Sequence, residues 1–143
     1  MPEIPIEFIN EDVDFELTFV DKLKDWITQI VTDHDFTLQN LTYIFCSDEY
    51  LHEMNVNYLN HDTLTDIITF DNADEEGYIE GDIFISIDRV KENALQLNQR
   101  FEDELHRVII HGVLHLLGYE DKDAAAKEDM RTKEDYCLSL RKF

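Results

Sequence analysis

The stretch His111-Gly112-Val113-Leu114-His115-Leu116-Leu117-Gly118-Tyr119-Glu120-Asp121 decides how the rest of the chain must be arranged. Two histidines four positions apart leave the same face of an α-helix about one turn from each other. Nearly all of their neighbours are apolar, which is typical of a helix that is buried on most sides. Gly118 can take the left-handed conformation that ends a helix. The stretch therefore predicts a buried helix and a turn that brings a carboxylate back toward both imidazoles.

We predict that His111, His115 and Asp121 hold one divalent metal ion and leave at least one coordination position for water or substrate. Glu120 is an alternative third ligand. The alternative without a metal is a pair of hydrogen-bonded core histidines followed by a solvated acidic turn. The metalloprotease helix carries glutamate directly after its first histidine, and Gly112 occupies that place here. This argues against peptide hydrolysis by that mechanism.

Length and composition indicate one domain, residues 1–143, because 143 residues with 43% hydrophobic side chains can fill a single core. The N-terminal residues lack the basic start and long apolar run of a signal peptide, and no apolar run is long enough to span a membrane. Cys46 and Cys137 form no disulfide framework, which favours a reducing compartment. We expect both to be small core residues of a soluble, cytoplasmic protein.

The net charge of −21 arises from 12 basic against 33 acidic residues. Binding to phosphates depends largely on basic side chains, so any contact with RNA must be local. An acidic surface also suits a basic protein partner, although solubility alone explains many such surfaces.

The apolar periodicity predicts four strands and five helices. The strands are expected at Glu3–Asn10, Leu41–Cys46, Thr65–Phe70 and Ile79–Ile87, the last broken at Gly81. Three helices are expected to follow the capping residues Thr18, Ser47 and Asp88. The central helix is expected to run from about Gln99 to Leu117, and a last helix to begin at Asp123. Between the third and fourth strands, residues 71–77 predict a solvated acidic hairpin loop. This order is typical of an α+β domain whose small mixed sheet is covered by helices.

The chain resembles the YbeY family of bacterial endoribonucleases over nearly its full length, through His111-Gly112-x-Leu114-His115-Leu116-x-Gly118-Tyr119, Gly81-Asp82-Ile83, and Thr65-Asp66-Ile67 followed by Phe70. The first motif is the specific one. The resemblance implies a zincin-like fold and a metal ion, usually zinc, at the positions of His111, His115 and Asp121. It also implies a role in 16S rRNA 3′-end processing and ribosome quality control.

One departure from the family concerns the third ligand, which is normally histidine where this chain has Asp121. Two histidines and one carboxylate are a known catalytic zinc set. An anionic ligand lowers the net charge at the metal, so bound water should be less acidic than in a three-histidine site. The same ligand set also suits iron, manganese or nickel, so the identity of the metal stays open.

A second departure is Leu59, because the family normally has an arginine after the tyrosine that matches Tyr58. Leucine cannot bind phosphate as a guanidinium does. His61 could supply a donor for phosphate in place of this arginine. Otherwise it is an exposed loop histidine with no role in binding.

Arg107 is the better candidate for a phosphate clamp, since it lies one turn before His111 on the same helical face. An ion pair with Asp103 or Glu104 is the alternative. Asp82 is expected to orient groups near the site or to act as a backbone acceptor.

Together with the resemblance, which implies RNA as the substrate, these residues favour metal-assisted hydrolysis of single-stranded RNA, by attack of either water or a ribose 2′-hydroxyl. The expected partners are ribosomal RNA and a basic small-subunit ribosomal protein or a ribosome-associated GTPase. The main alternative is a ribosome-maturation binding factor with a structural metal or weak catalysis. Metal-dependent hydrolysis of a peptide or small molecule is a third, weakened by Gly112.

Overall fold

A computed structural model describes residues 4–60 and 64–143 of the chain. The described residues form four strands and five helices, in the predicted order. They are β1 (Ile6–Asn10), α1 (Val20–Asp33), β2 (Thr37–Cys46), α2 (Asp48–Leu59), β3 (Ile67–Asp71), β4 (Tyr78–Ser86), α3 (Ile87–Gln96), α4 (Phe101–Leu116) and α5 (Ala124–Ser139). The α+β class is confirmed, and the buried α4 beneath a small mixed sheet is consistent with the zincin-like arrangement.

The sheet has the strand order β1-β2-β4-β3. β1, β2 and β4 are parallel, whereas β3 is antiparallel to β4 and lies at the edge. Asp71 of β3 pairs with Gly81 of β4, and the loop that joins these strands forms the predicted hairpin. Its residues Asp74, Glu75 and Glu76 are exposed, as predicted.

The larger core lies between one face of the sheet and the helices α1, α4 and α5. The Tyr43 hydroxyl of β2 donates to the Ile109 carbonyl of α4 across this core, at 3.0 Å. On the opposite face, Cys46, Leu51 and Ile68 form a smaller cluster under α2. Strand side chains alternate between the two faces, so every second residue of β4 points toward α4. The larger core includes Ile6, Leu23, Ile27, Leu41, Tyr43, Phe45, Ile79, Ile83, Ile85, Leu105, Ile109 and Val113.

The predicted cap Ser47 is confirmed, and the last helix begins at the predicted place, with Asp123 as its cap. The Ser47 side chain accepts a hydrogen bond from the Tyr50 amide, and the Asp123 side chain accepts one from the Ala126 amide. Each therefore satisfies one of the free N–H groups of the first helical turn.

The other two predicted caps are wrong. Helix α1 begins after Phe19, which has a φ of 58° and makes no capping hydrogen bond, so Thr18 lies outside the helix. The cap of α3 is Ser86, whose hydroxyl accepts from the Arg89 amide, and Asp88 lies in the first turn. A serine two residues upstream offers the same capping chemistry as Asp88, and the end of β4 determines which residue is used.

The predicted break at Gly81 is also wrong, because β4 runs through it without interruption. A Cβ atom at this position would clash with the Phe70 carbonyl oxygen on β3. Gly112 has a related role, since a Cβ there would lie 2.8 Å from Ile83 Cδ1 and 3.1 Å from Ile67 Cδ1. Both glycines allow close approach, Gly81 between neighbouring strands and Gly112 between α4 and the sheet.

Cys46 and Cys137 are free and buried, which confirms their prediction as core residues. Burial raises the pKa of the Cys46 thiol to about 12 and that of the Cys137 thiol to about 11. Neither thiol is therefore activated as a nucleophile. Across residues 4–60 and 64–143, none of the helices combines the length and apolar character that a membrane span requires.

Candidate metal centre

Helix α4 and the turn that follows it bring His111, His115 and Asp121 together. The Oδ2 atom of Asp121 lies 3.5 Å from Nε2 of His111 and 3.6 Å from Nε2 of His115. The two rings are 4.6 Å apart between centroids, at 81°. Gly118 has a φ of 108°, and its amide donates to the His115 carbonyl. The left-handed turn predicted at this glycine is thus the feature that returns the chain to the imidazoles.

The spacing of these atoms fits a small divalent ion. Ligands about 2.0–2.2 Å from a tetrahedral zinc lie about 3.3–3.6 Å from one another, close to the two measured separations. One ligand atom from each of the three residues lies within 4.8 Å of the others. Glu120, the alternative third ligand, does not belong to this converging group, and its carboxylate lies 3.2 Å from Lys122 Nζ.

Glu134 of α5 holds the first histidine in place. Its Oε2 atom lies 2.6 Å from Nδ1 of His111, and the glutamate side chain is only 8% exposed. Because an ionised carboxylate can only accept, the proton of this bond belongs on Nδ1. Nε2, the nitrogen that lies near Asp121, is then the one that can offer its lone pair to a metal ion. A carboxylate that orients a ligand histidine in this way is a recurrent feature of metal sites.

The negative charges around His111 oppose the effect of burial on its pKa. Burial lowers the pKa of this imidazole, but the hydrogen bond and charge of Glu134, with the charges of Asp121 and Asp66, outweigh it and raise the pKa overall. The same negative field favours a cation at the open Nε2.

Arg107 is engaged by acidic residues of α5. Its Nη1 atom donates to Glu134 Oε1 at 2.9 Å, and its Nη2 atom donates to Asp135. The ion-pair alternative is thus the one observed, although its partners are Glu134 and Asp135 and not Asp103 or Glu104 as predicted. The guanidinium fixes Glu134 on the side opposite His111.

The three candidate ligands open into a cleft of about 640 Å³ between the β3 edge, α4 and α5. Four further carboxylates line it, those of Asp66, Asp71, Glu104 and Glu134. Burial raises the pKa of Asp66 and of Glu104, and both also feel the negative charge of Glu134. The nearby charges of Arg107 and Arg131 act in the opposite direction on Glu104. The cleft is therefore mostly acidic, with basic groups at a few places only.

The remaining predicted site residues have different positions. Leu59 lines the cleft, at the end of α2. Asp82 lies on the face of β4 opposite α4, where its carboxylate accepts from the Asn72 side chain at 3.3 Å, so it does not line the cleft. His61 lies outside the described residues. His106 of α4 is buried and contacts Arg141 through Nδ1 at 2.7 Å, so it does not belong to the candidate site.

Glu134, Asp66 and Glu104 were not predicted as site residues. A signal for Glu134 exists in the sequence, since Met130, Glu134 and Cys137 share one face of α5 and all three are buried. An acidic residue on an otherwise apolar helical stripe is almost always paired. The partner itself depends on how α5 packs on α4, which local pattern does not give.

Comparisons of this chain with known proteins point to one family. A sequence model of the family described as Endoribonuclease YbeY matches residues 6–141. A Cytophaga hutchinsonii protein named Endoribonuclease YbeY is 53% identical over 143 residues, covering 100% of both chains. One of the same name from Amoebophilus asiaticus is 47% identical, covering 99% of this chain and 97% of its own. The solution structure of TM1509 from Thermotoga maritima aligns with a TM-score of 0.64 at 28% identity, over 94% of this chain and 87% of that one.

Proposed function

Since this chain belongs to the YbeY family of endoribonucleases, we propose that its active site is the cleft floor formed by His111, His115 and Asp121, acting with one divalent metal ion on single-stranded RNA. The observation that carries this proposal is the convergence of the three ligand atoms at separations suited to a small cation. The cleft above them offers room for a phosphodiester.

A bound divalent ion would supply Lewis-acid chemistry, polarising a phosphoryl oxygen and lowering the pKa of water. Zinc is the first candidate, and iron, manganese and nickel also suit two imidazoles and a carboxylate. Zinc sites with this ligand set leave a position open for catalysis. The partial exposure of His115 and Asp121, 31% and 41% of their side chains, supports an open side toward the cleft.

The chain's own residues hold and orient the ligands. Glu134 keeps the proton of His111 on Nδ1, and Arg107 fixes Glu134 from the other side. Arg107 thereby contributes as a positioning residue for the first ligand. Gly112 occupies the place of the metalloprotease glutamate, so this position provides no general base. Attack by water and attack by a ribose 2′-hydroxyl both remain compatible with the site.

Ribosomal RNA is the substrate that we propose, with 16S rRNA 3′-end processing and ribosome quality control as the setting that the family implies. A cytoplasmic location fits the two free thiols. A basic small-subunit ribosomal protein or a ribosome-associated GTPase suits the acidic surface. The alternative of a binding factor without catalysis is not favoured, because the matching relatives are named as endoribonucleases.

The test is metal analysis and cleavage of a labelled single-stranded RNA by natively purified protein. We expect wild type to carry about one divalent ion and to cut the RNA, and His115→Ala to lose cleavage while its circular dichroism is unchanged. Asp121→Ala should lose the metal and Asp121→His should keep it. Unchanged metal content in Asp121→Ala would eliminate Asp121 as a ligand. A folded, metal-loaded wild type that leaves RNA intact at every pH would overturn the enzyme proposal.

A further inference from the structure

Among the described residues, two arginines line the cleft, and one of them is held by acidic partners. Arg107 donates to both Glu134 and Asp135. Arg131 is exposed on α5. Within residues 4–60 and 64–143, no hydrogen bond or ion pair involves the Arg131 guanidinium, although 33 acidic residues are available in the chain.

The position of Arg131 brings its charge to the candidate active site. It lies one turn before Glu134 on α5, so both side chains leave the same face of the helix. Its positive charge is close enough to Glu104 on α4 to oppose the rise that burial causes in the pKa of that carboxyl group. It also lines the same cleft as His111, His115 and Asp121. The positive charge of Arg131 is thus at the lining of the cleft and not on a remote surface.

The electrostatics of the whole chain make this one charge important. At a net charge of −21, the protein repels a polyanion. The cleft itself is lined by Asp66, Asp71, Glu104, Asp121 and Glu134. A phosphate that enters needs a cationic donor, and a guanidinium whose donors are already taken by carboxylates cannot form the bidentate contact.

We propose that Arg131 is the phosphate-binding residue of this enzyme and contacts a backbone phosphate of the RNA beside the one that is cleaved. This inference rests on the proposed function for the identity of the ligand, an RNA strand. Arg131 would then contribute to binding and leave the chemical step to the metal centre. Leu59, which also lines the cleft, provides no charge for this purpose.

The test compares Arg131→Gln with Arg100→Gln. Both changes remove one positive charge, but Arg100 pairs with Glu102 and does not line the cleft. Binding is measured by fluorescence anisotropy on the metal-loaded protein, with a labelled single-stranded 2′-O-methyl RNA that keeps every phosphate. Thermal melting of each variant checks folding.

We expect Arg131→Gln to raise the Kd by roughly tenfold or more, because a charge-assisted contact is lost. The slope of log binding constant against log salt should become about 0.7 more positive than in wild type, the value for one phosphate of a single strand. Arg131→Lys should keep the salt slope and lose part of the affinity. Arg100→Gln should change neither quantity appreciably.

Equal values of Kd and salt slope for Arg131→Gln and Arg100→Gln would overturn the inference. Cleavage of ordinary RNA is measured separately, and there we expect a higher KM with little change in kcat. If wild type binds the 2′-O-methyl strand through Arg131 but cuts no RNA, the proposed function fails while the assignment of Arg131 stands.

Discussion

Glu134 is a buried side chain that contacts the proposed metal ligand His111 and is not itself one of the three candidate ligands. Its two oxygens divide their contacts, one to His111 and the other to Arg107. We expect Glu134→Gln to lower metal affinity by roughly 10–100-fold, because a neutral amide holds the Nδ1 proton less strongly and makes the ring a poorer ligand. Competition with a chelator measures this.

The matched control for Glu134→Gln is Asp135→Asn, which also weakens an Arg107 contact but touches no histidine. We expect its metal affinity to stay near that of wild type. A similar loss in both variants would show that the guanidinium network matters and the bond to His111 does not.

His106 gives stability a pH dependence that is separate from the proposed metal site. Burial, helped by the charge of Arg141 and opposed by Asp103, lowers its pKa from 6.5 to about 4. Between these values the unfolded chain binds a proton that the folded chain does not, so this residue makes stability rise with pH over that interval. The contribution is of the order of 3 kcal/mol above pH 6.5 and is lost as the pH falls toward 4.

We therefore expect the free energy of unfolding to depend less steeply on pH in His106→Gln than in wild type between pH 4 and 6.5. Urea unfolding at several pH values measures the free energy of unfolding. Subtracting the values for the variant from those for wild type removes the contribution of all other titrating groups. Parallel curves for the two proteins would contradict the prediction.

Strand β4 depends on a glycine for its distance from β3. A methyl group at position 81 would meet the Phe70 carbonyl, which belongs to the backbone and cannot rotate away. We expect Gly81→Ala to destabilise the protein by about 1–3 kcal/mol, as overpacking does elsewhere. Chemical denaturation measures the loss.

Gly77, in the same hairpin, is the control for Gly81. It has a φ of 86° and open space where a Cβ would lie. Asparagine tolerates this conformation better than most residues, so Gly77→Asn should cost less than Gly81→Ala. The reverse order would mean that turn conformation, and not the strand spacing, limits stability.

Elements with strong periodicity were predictable, because local pattern determines them. The central helix, its two histidines and the turn at Gly118 follow from spacing in one stretch of chain. Local pattern did not predict the cap of α3 or the continuity of β4 at Gly81, since each depends on a neighbouring strand. The bond from Glu134 to His111 joins residues 23 positions apart on two helices. Only the packing of α5 on α4 brings them together.

The net charge of −21 affects how the whole molecule encounters RNA, as well as how the cleft binds it. Basic nucleic-acid-binding proteins gain association rate from long-range attraction, and that rate falls as salt increases. This protein has the opposite sign over most of its surface. Its encounter with RNA should therefore be slowed by repulsion, and the local contact at Arg131 should act only after the strand has arrived.

We expect the association rate constant with single-stranded RNA to rise several-fold as salt increases from about 20 to about 200 mM, because the screening length falls to less than 10 Å. The dissociation rate should rise too, since salt also weakens a phosphate contact. Stopped-flow fluorescence with the 2′-O-methyl strand separates the two rates, and an uncharged methylphosphonate strand serves as the salt-insensitive control. An association rate that falls steeply with salt would show that a basic patch, and not the net charge, governs the encounter.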